Sequence, residues 1–109
     1  MEGLELTSFQ IISAVGMARS TFIEAVQEAR NGNVESANQK IKEGEQFFTK
    51  AHAAHADLIQ QEAGGNPVQP NLLLMHAEDQ LMSAETFKII ALELIVTYDR
   101  VAALEKRVK

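Results

Sequence analysis

Apolar residues recur every three or four positions over three long stretches of this chain, and two short breaks separate the stretches. The breaks are Asn31-Gly32-Asn33 and Gly64-Gly65-Asn66-Pro67-Val68-Gln69-Pro70, where half of the glycine and all of the proline is gathered. Between them Ala, Leu, Glu, Gln and Lys predominate and β-branched residues dominate no window, so the spacing predicts helices rather than strands. The first helix is expected from about Thr7 to Arg30, with Phe9, Ile12, Val15, Gly16, Arg19, Phe22, Val26 and Ala29 on one face. Gly16 lies inside it. A glycine there costs roughly 1 kcal/mol relative to alanine, which predicts a close backbone approach or a functional group that needs the room.

Asn31 and Gly32 tolerate positive φ and end this helix, and Asn33 is expected to cap the next. The second helix, about Val34 to Ala63, carries Ala37, Ile41, Phe47, Phe48, Ala51, Ala54, His55, Leu58 and Ile59 on or near its inner side. The third begins between Asn71 and Met75 and extends to about Lys106 through Leu81, Ala84, Phe87, Lys88, Ala91, Leu94, Ile95, Tyr98, Val101 and Leu104. Helices of this length reach roughly 40 to 50 Å, and short connections make neighbours antiparallel. The expected fold is all-α: a three-helix up-down-up bundle forming one domain over residues 1–109. Three such helices leave apolar surface uncovered, so lateral association is expected to cover it.

Composition narrows the function. A chain of 109 residues has room for one compact unit and no separate regulatory domain. Fifteen acidic against ten basic residues give a net charge of −5, and no Lys/Arg run forms a nucleic-acid footprint. Lys106, Arg107 and Lys109 fall at a helix end, where cations complement the dipole. The absence of cysteine excludes disulfides, thiolate metal sites and cysteine nucleophiles together. The start, Met1-Glu2-Gly3-Leu4-Glu5, lacks the features of a signal peptide, and no stretch approaches a membrane span, so the expected location is the cytoplasm with no direct membrane insertion.

The least ordinary segment is Leu72-Leu73-Leu74-Met75-His76-Ala77-Glu78-Asp79-Gln80-Leu81-Met82-Ser83-Ala84. At about 100° per residue, Asp79, Gln80 and Ser83 fall within about 60° of His76, making one polar stripe on an otherwise apolar stretch. His76 lies in the first turn or two of its helix, where free amides and the dipole favour an anion. Imidazole as a side-chain type can present a neutral nitrogen nucleophile near pH 7. On spacing alone, a lone helical histidine is more often surface decoration or a hydrogen-bonded core residue, and Asp79 more often a solvated charge. His52 and His55, deep in the second helix, read as structural, and Met75 and Met82 as core filler.

The same residues carry a resemblance to the lactose/cellobiose-type IIA proteins of the phosphoenolpyruvate-dependent sugar phosphotransferase system. Gly16-Met17-Ala18-Arg19-Ser20 looks like that family's Gly-x-Ala-Arg-Ser stretch. Ala51-His52 with Leu58-Ile59-Gln60-Gln61-Glu62-Ala63-Gly64 is similar to the run that closes its second helix. His76-Ala77-Glu78-Asp79-Gln80-Leu81-Met82 resembles its His-Ala-Gln/Glu-Asp-His-Leu-Met pattern.

The resemblance implies a homotrimer, a nine-helix bundle, that accepts phosphate from HPr on His76 and donates it to a IIB component during uptake of a disaccharide or β-glucoside. It implies that Asp79 faces its symmetry mates and shares a divalent metal, usually magnesium, with no nucleotide involved. Three close carboxylates repel, and a hard oxygen-seeking cation relieves that. Gln80 departs from the family's second histidine. It can donate an amide hydrogen to a phosphoryl oxygen but carries no positive charge. His55, where many relatives have glutamine, is a second departure. Two rival readings are a histidine phosphotransfer domain of two-component signalling, which expects a basic residue near the histidine where Glu78 and Asp79 stand, and a non-catalytic helical oligomeric adaptor.

Overall fold

A computed structural model describes residues 3–108 and contains three helices, α1 (Gly3–Arg30), α2 (Val34–Ala63) and α3 (Leu72–Val108). They run up, down and up in a rod of 63 × 23 × 20 Å. The expected helix count and the bounds of α2 hold, while α1 begins four residues before the expected Thr7 and α3 runs past Lys106. Met1, Glu2 and Lys109 lie outside the described residues, so the reading of the extreme amino terminus and of Lys109 does too. Lys106 and Arg107 do occupy the last turn of α3.

The buried positions follow a heptad spacing more closely than a 3.6-residue one. In α1 they are Ser8, Ile11, Val15, Ala18, Phe22, Ala25 and Ala29, with Thr21 buried beside the seam, and in α3 Leu74, Ala77, Leu81, Ala84, Ala91 and Ile95. A 3.5-residue repeat keeps one seam facing its neighbour only if the helices wind around each other with a left-handed twist. This seam lies one step around α1 from the expected face, so Phe9 is exposed rather than inside. Small alanines define the true seam, whereas the expectation weighted large residues.

α1 lies between the other two helices, which pack mainly on it and touch each other sparingly. It meets α2 tightly at Gly44, where a Cβ would lie 2.5 Å from the ring of the fully buried Phe22. Gly16 differs: a Cβ there meets nothing within 4 Å, so the close approach expected at that residue is absent from the single chain. Lys40 ties the same pair of helices through Glu24 at 3.1 Å, and that hydrogen bond raises its ammonium above the ordinary 10.5.

At the breaks, Gly32 (φ +87°) and Gly65 (φ +95°) take the left-handed conformation that closes α1 and α2. Asn33 precedes α2 but makes no side-chain cap, and its side-chain nitrogen donates to the Glu28 carboxylate at 2.9 Å. α3 is 37 residues long against 28 for α1, and Val101, Leu104 and Val108 near its end are exposed. Val101 and Leu104 were expected inside; their seam continues past the last turn of α1 and has nothing to cover it.

Candidate functional site

The loop between α2 and α3 is pinned at both ends. The Val68 amide donates to the Glu62 carboxylate at 3.4 Å, and the Leu74 amide donates to the Asn71 side-chain oxygen at 2.8 Å. Asn71 is therefore the N-cap of α3, and the Met75 amide donates to its carbonyl to make the first helical bond. His76 is the fifth helical residue and its ring is exposed. Because side chains lean toward the start of a helix, the ring leans over the first turn. The cap alters the expected anion site: Asn71 already takes the Leu74 amide, which leaves those of Leu72 and Leu73 as the free donors of that turn.

The polar stripe forms as the spacing predicts, with His76, Asp79 and Ser83 exposed and Gln80 half-buried. Asp79 makes no ion pair among the described residues, and no three metal-ligating side chains converge within one chain there. Met75 and Met82 are not core filler. They are 58% and 61% exposed and belong to a second heptad seam on α3, Leu72, Met75, Asp79, Met82, Thr86, Ile89, Glu93, Val96 and Arg100, all exposed. A helix with one heptad seam filled and an adjacent one open has a face left for another helix.

Antiparallel packing brings the end of α2 beside the start of α3, so the three histidines share one end of the rod. His52 is exposed and stacks on Phe48 with ring centroids 6.1 Å apart, and His55 bonds the Glu78 carboxylate at 2.7 Å. Reading along the chain placed His55 deep in α2 and away from any helix start; in space it abuts the start of α3. A cleft of about 270 Å³ adjoins the pair, lined by Leu58, Ile59, Glu62, Val68, Pro70 and Leu74.

Charge is segregated along the rod as well. Residues 3–18 and 51–84, which form the end that holds His76, contain Glu5, Asp57, Glu62, Glu78 and Asp79 but no Lys or Arg. The described basic residues all lie in the remaining segments, starting at Arg19. Local fields at the site are therefore set by carboxylates, and a cationic surface is the complementary one. No helix of the described chain is long and apolar enough to cross a membrane.

Comparison with known proteins agrees with this arrangement. Residues 6–99 match the family described as the PTS system, Lactose/Cellobiose specific IIA subunit. The chain is 40% identical over 100 residues to the Lichenan-specific phosphotransferase enzyme IIA component of Bacillus subtilis (strain 168), covering 92% of this chain and 91% of that one. It is 33% identical over 99 residues to the PTS system lactose-specific EIIA component of Staphylococcus aureus, covering 91% and 96%. Among solved structures, the PTS Cellobiose Specific Enzyme IIA from Bacillus anthracis superposes with a TM-score of 0.89 at 36% identity, covering 94% of this chain and 95% of that one. Three antiparallel helices, a histidine in the opening turns of the last, and a match over most of the length have one reading: this chain belongs to the lactose/cellobiose-specific IIA subunit family and is a phosphotransferase system component.

Proposed function

We propose that His76 accepts a phosphoryl group from HPr and donates it to a IIB component in the cytoplasm, for uptake of a disaccharide or β-glucoside. The observation that supports this best is the exposed imidazole of His76 beside the capped first turn of α3, open to an incoming protein. A ring nitrogen lone pair attacks phosphorus in line as the bond to the donor's phosphorylated imidazole breaks. The departing imidazole keeps that electron pair, and the reverse geometry delivers the group onward. The transition state is loose, so positioning and charge stabilisation carry the rate. The amides of Leu72 and Leu73 and the carboxamide of Gln80 hold the phosphoryl oxygens in this reading. The end of the rod formed by residues 3–18 and 51–84, which lacks Lys and Arg, favours partners with basic active faces and fast, weak encounters.

The open seam of α3 supports a homotrimer. In that assembly Asp79 stands between Met75 and Met82 along the seam, so three copies of an otherwise unpaired carboxylate meet in an apolar setting. Oxygen donors of that kind fit a hard divalent ion such as magnesium, which would neutralise them and hold the subunits together.

The test is incubation of the purified chain with phosphoenolpyruvate, enzyme I and HPr. An acid-labile, base-stable phosphoryl adduct is expected, and it is absent from His76→Ala. No adduct on the native chain, or one that persists in His76→Ala, overturns the reading. A two-component phosphotransfer domain would instead ignore HPr, and an adaptor would take no phosphate.

A further inference from the structure

Glu78 and His76 stand on opposite sides of α3, about 160° apart at two residues' separation, so whatever fixes the azimuth of one fixes the other. Glu78 is held by His55 of α2 across 2.7 Å, with their side chains 40% and 19% exposed. We propose that His55 and Glu78 are positioning residues for the phosphoryl-accepting ring, clamping the rotation of α3 so that His76 stands where a partner's phosphate can reach it. This rests on the carrier reading of His76.

Apolar packing here seats α3 mainly on α1, and its contact with α2 is sparse. The cluster at this end sets Ile11, Val15 and Leu81 beside the small Ala51, Ala77 and Ala84, and an open cleft lies beside the pair. On the α2 side the buried member is the small Ala51, so packing between α2 and α3 restrains the rotation less than packing on α1 does. Among the described residues, the other ion pair joining these helices is Lys88 to Glu45 at 3.3 Å. It lies ten residues farther along α3, about 15 Å away, and so cannot hold the first turns. A short hydrogen bond to a carboxylate is the directional restraint this end otherwise lacks. Glu62 also lines the cleft, offering the His55 ring a second carboxylate if Glu78 is removed. With a ring tip roughly 6 Å from the helix axis, a turn of about 20° moves it about 2 Å. Displacements of about 1 Å can cost about a hundredfold in rate.

Two readouts test the clamp. In transfer assays, His55→Ala is expected to lower kcat at least about tenfold with KM for the donor within about twofold, while His55→Gln, whose amide can still donate to Glu78, restores the rate. In side-chain NMR, the ring resonances of His76 in the unphosphorylated protein are expected to shift and broaden in His55→Ala and return in His55→Gln. Unchanged His76 resonances in His55→Ala overturn the clamp, as does a failure of His55→Gln to restore them. If the native chain takes no phosphate, the carrier reading falls on its own, and the NMR comparison still decides whether the pair orients His76.

Discussion

Gly44→Ala tests the packing of the bundle most directly. An ideal Cβ at this position lies 2.5 Å from Cε1 and 2.7 Å from Cδ1 of Phe22. Carbon atoms in comfortable contact sit about 3.5 to 4.0 Å apart, so the ring must retreat by about 1 Å. It has no free direction: Phe22 is fully buried in a cluster with Ala18, Ala25, Ile41, Ala91 and Ile95. Overpacking of this sort costs about 1 to 3 kcal/mol, and the better helix propensity of alanine offsets about 1 kcal/mol. A net loss of up to about 2 kcal/mol follows, which lowers the melting temperature by roughly 4 to 8 °C per kcal/mol at this size. Gly16→Ala supplies the control, because the same propensity gain meets open space in the chain, and a gain of about 0.5 to 1 kcal/mol is expected. The assay is thermal and urea unfolding at one fixed protein concentration, since association of copies would shift apparent stability. Adding Phe22→Leu to Gly44→Ala should recover part of the loss, giving coupling between the two sites. A Gly44→Ala protein stabilised as much as the Gly16→Ala control would refute the close approach.

Asn71→Ala removes the cap on the Leu74 amide and is expected to destabilise the protein by about 1 kcal/mol in urea titrations, with slower phosphoryl uptake as the first turn frays. Gln80→His should raise the transfer rate below neutral pH, where an added imidazolium can meet the phosphoryl charge, and a rate profile unchanged between pH 6 and 8 would remove Gln80 from the site. Transfer from HPr should slow as salt rises, since the end bearing His76 carries carboxylates and no cations; a salt-independent rate constant in stopped-flow would refute steering. Asp79→Ala should abolish the effect of magnesium on oligomer stability while sparing the fold of the single chain, because Asp79 is exposed and makes no ion pair among the described residues; sedimentation with and without the ion reads this out.

Much of this protein was legible along the chain because helix breaks and helix formers act locally. Gly32 and Gly65, each at positive φ within a cluster of breakers, close the helices before them, and the approximate bounds of α2 read from those clusters hold. The His76, Asp79, Gln80 and Ser83 stripe was equally local, since neighbours within two turns share a face whatever the rest of the chain does. The misreadings came from properties that depend on a partner helix. Phe9 and Met75 are large and apolar, yet they lie outside, because Ala18, Ala25 and Ala77 let the helices approach on a different seam. The partner of His55 was invisible for the same reason: Glu78 is 23 residues away, and only antiparallel docking of α2 on α3 joins them.

By itself the sequence determined three helices, their order and the identity of a histidine beside a helix start, because hydrogen bonding within a helix and the cost of glycine and proline involve only nearby residues. The tertiary structure decided which seam of each helix is buried, which face of α3 stays open, and which side chains at the His76 end meet across helices. Those outcomes depend on the axial rotation of one helix against another. That rotation is fixed by the summed shape of many side chains distant in the chain, and no local pattern encodes it.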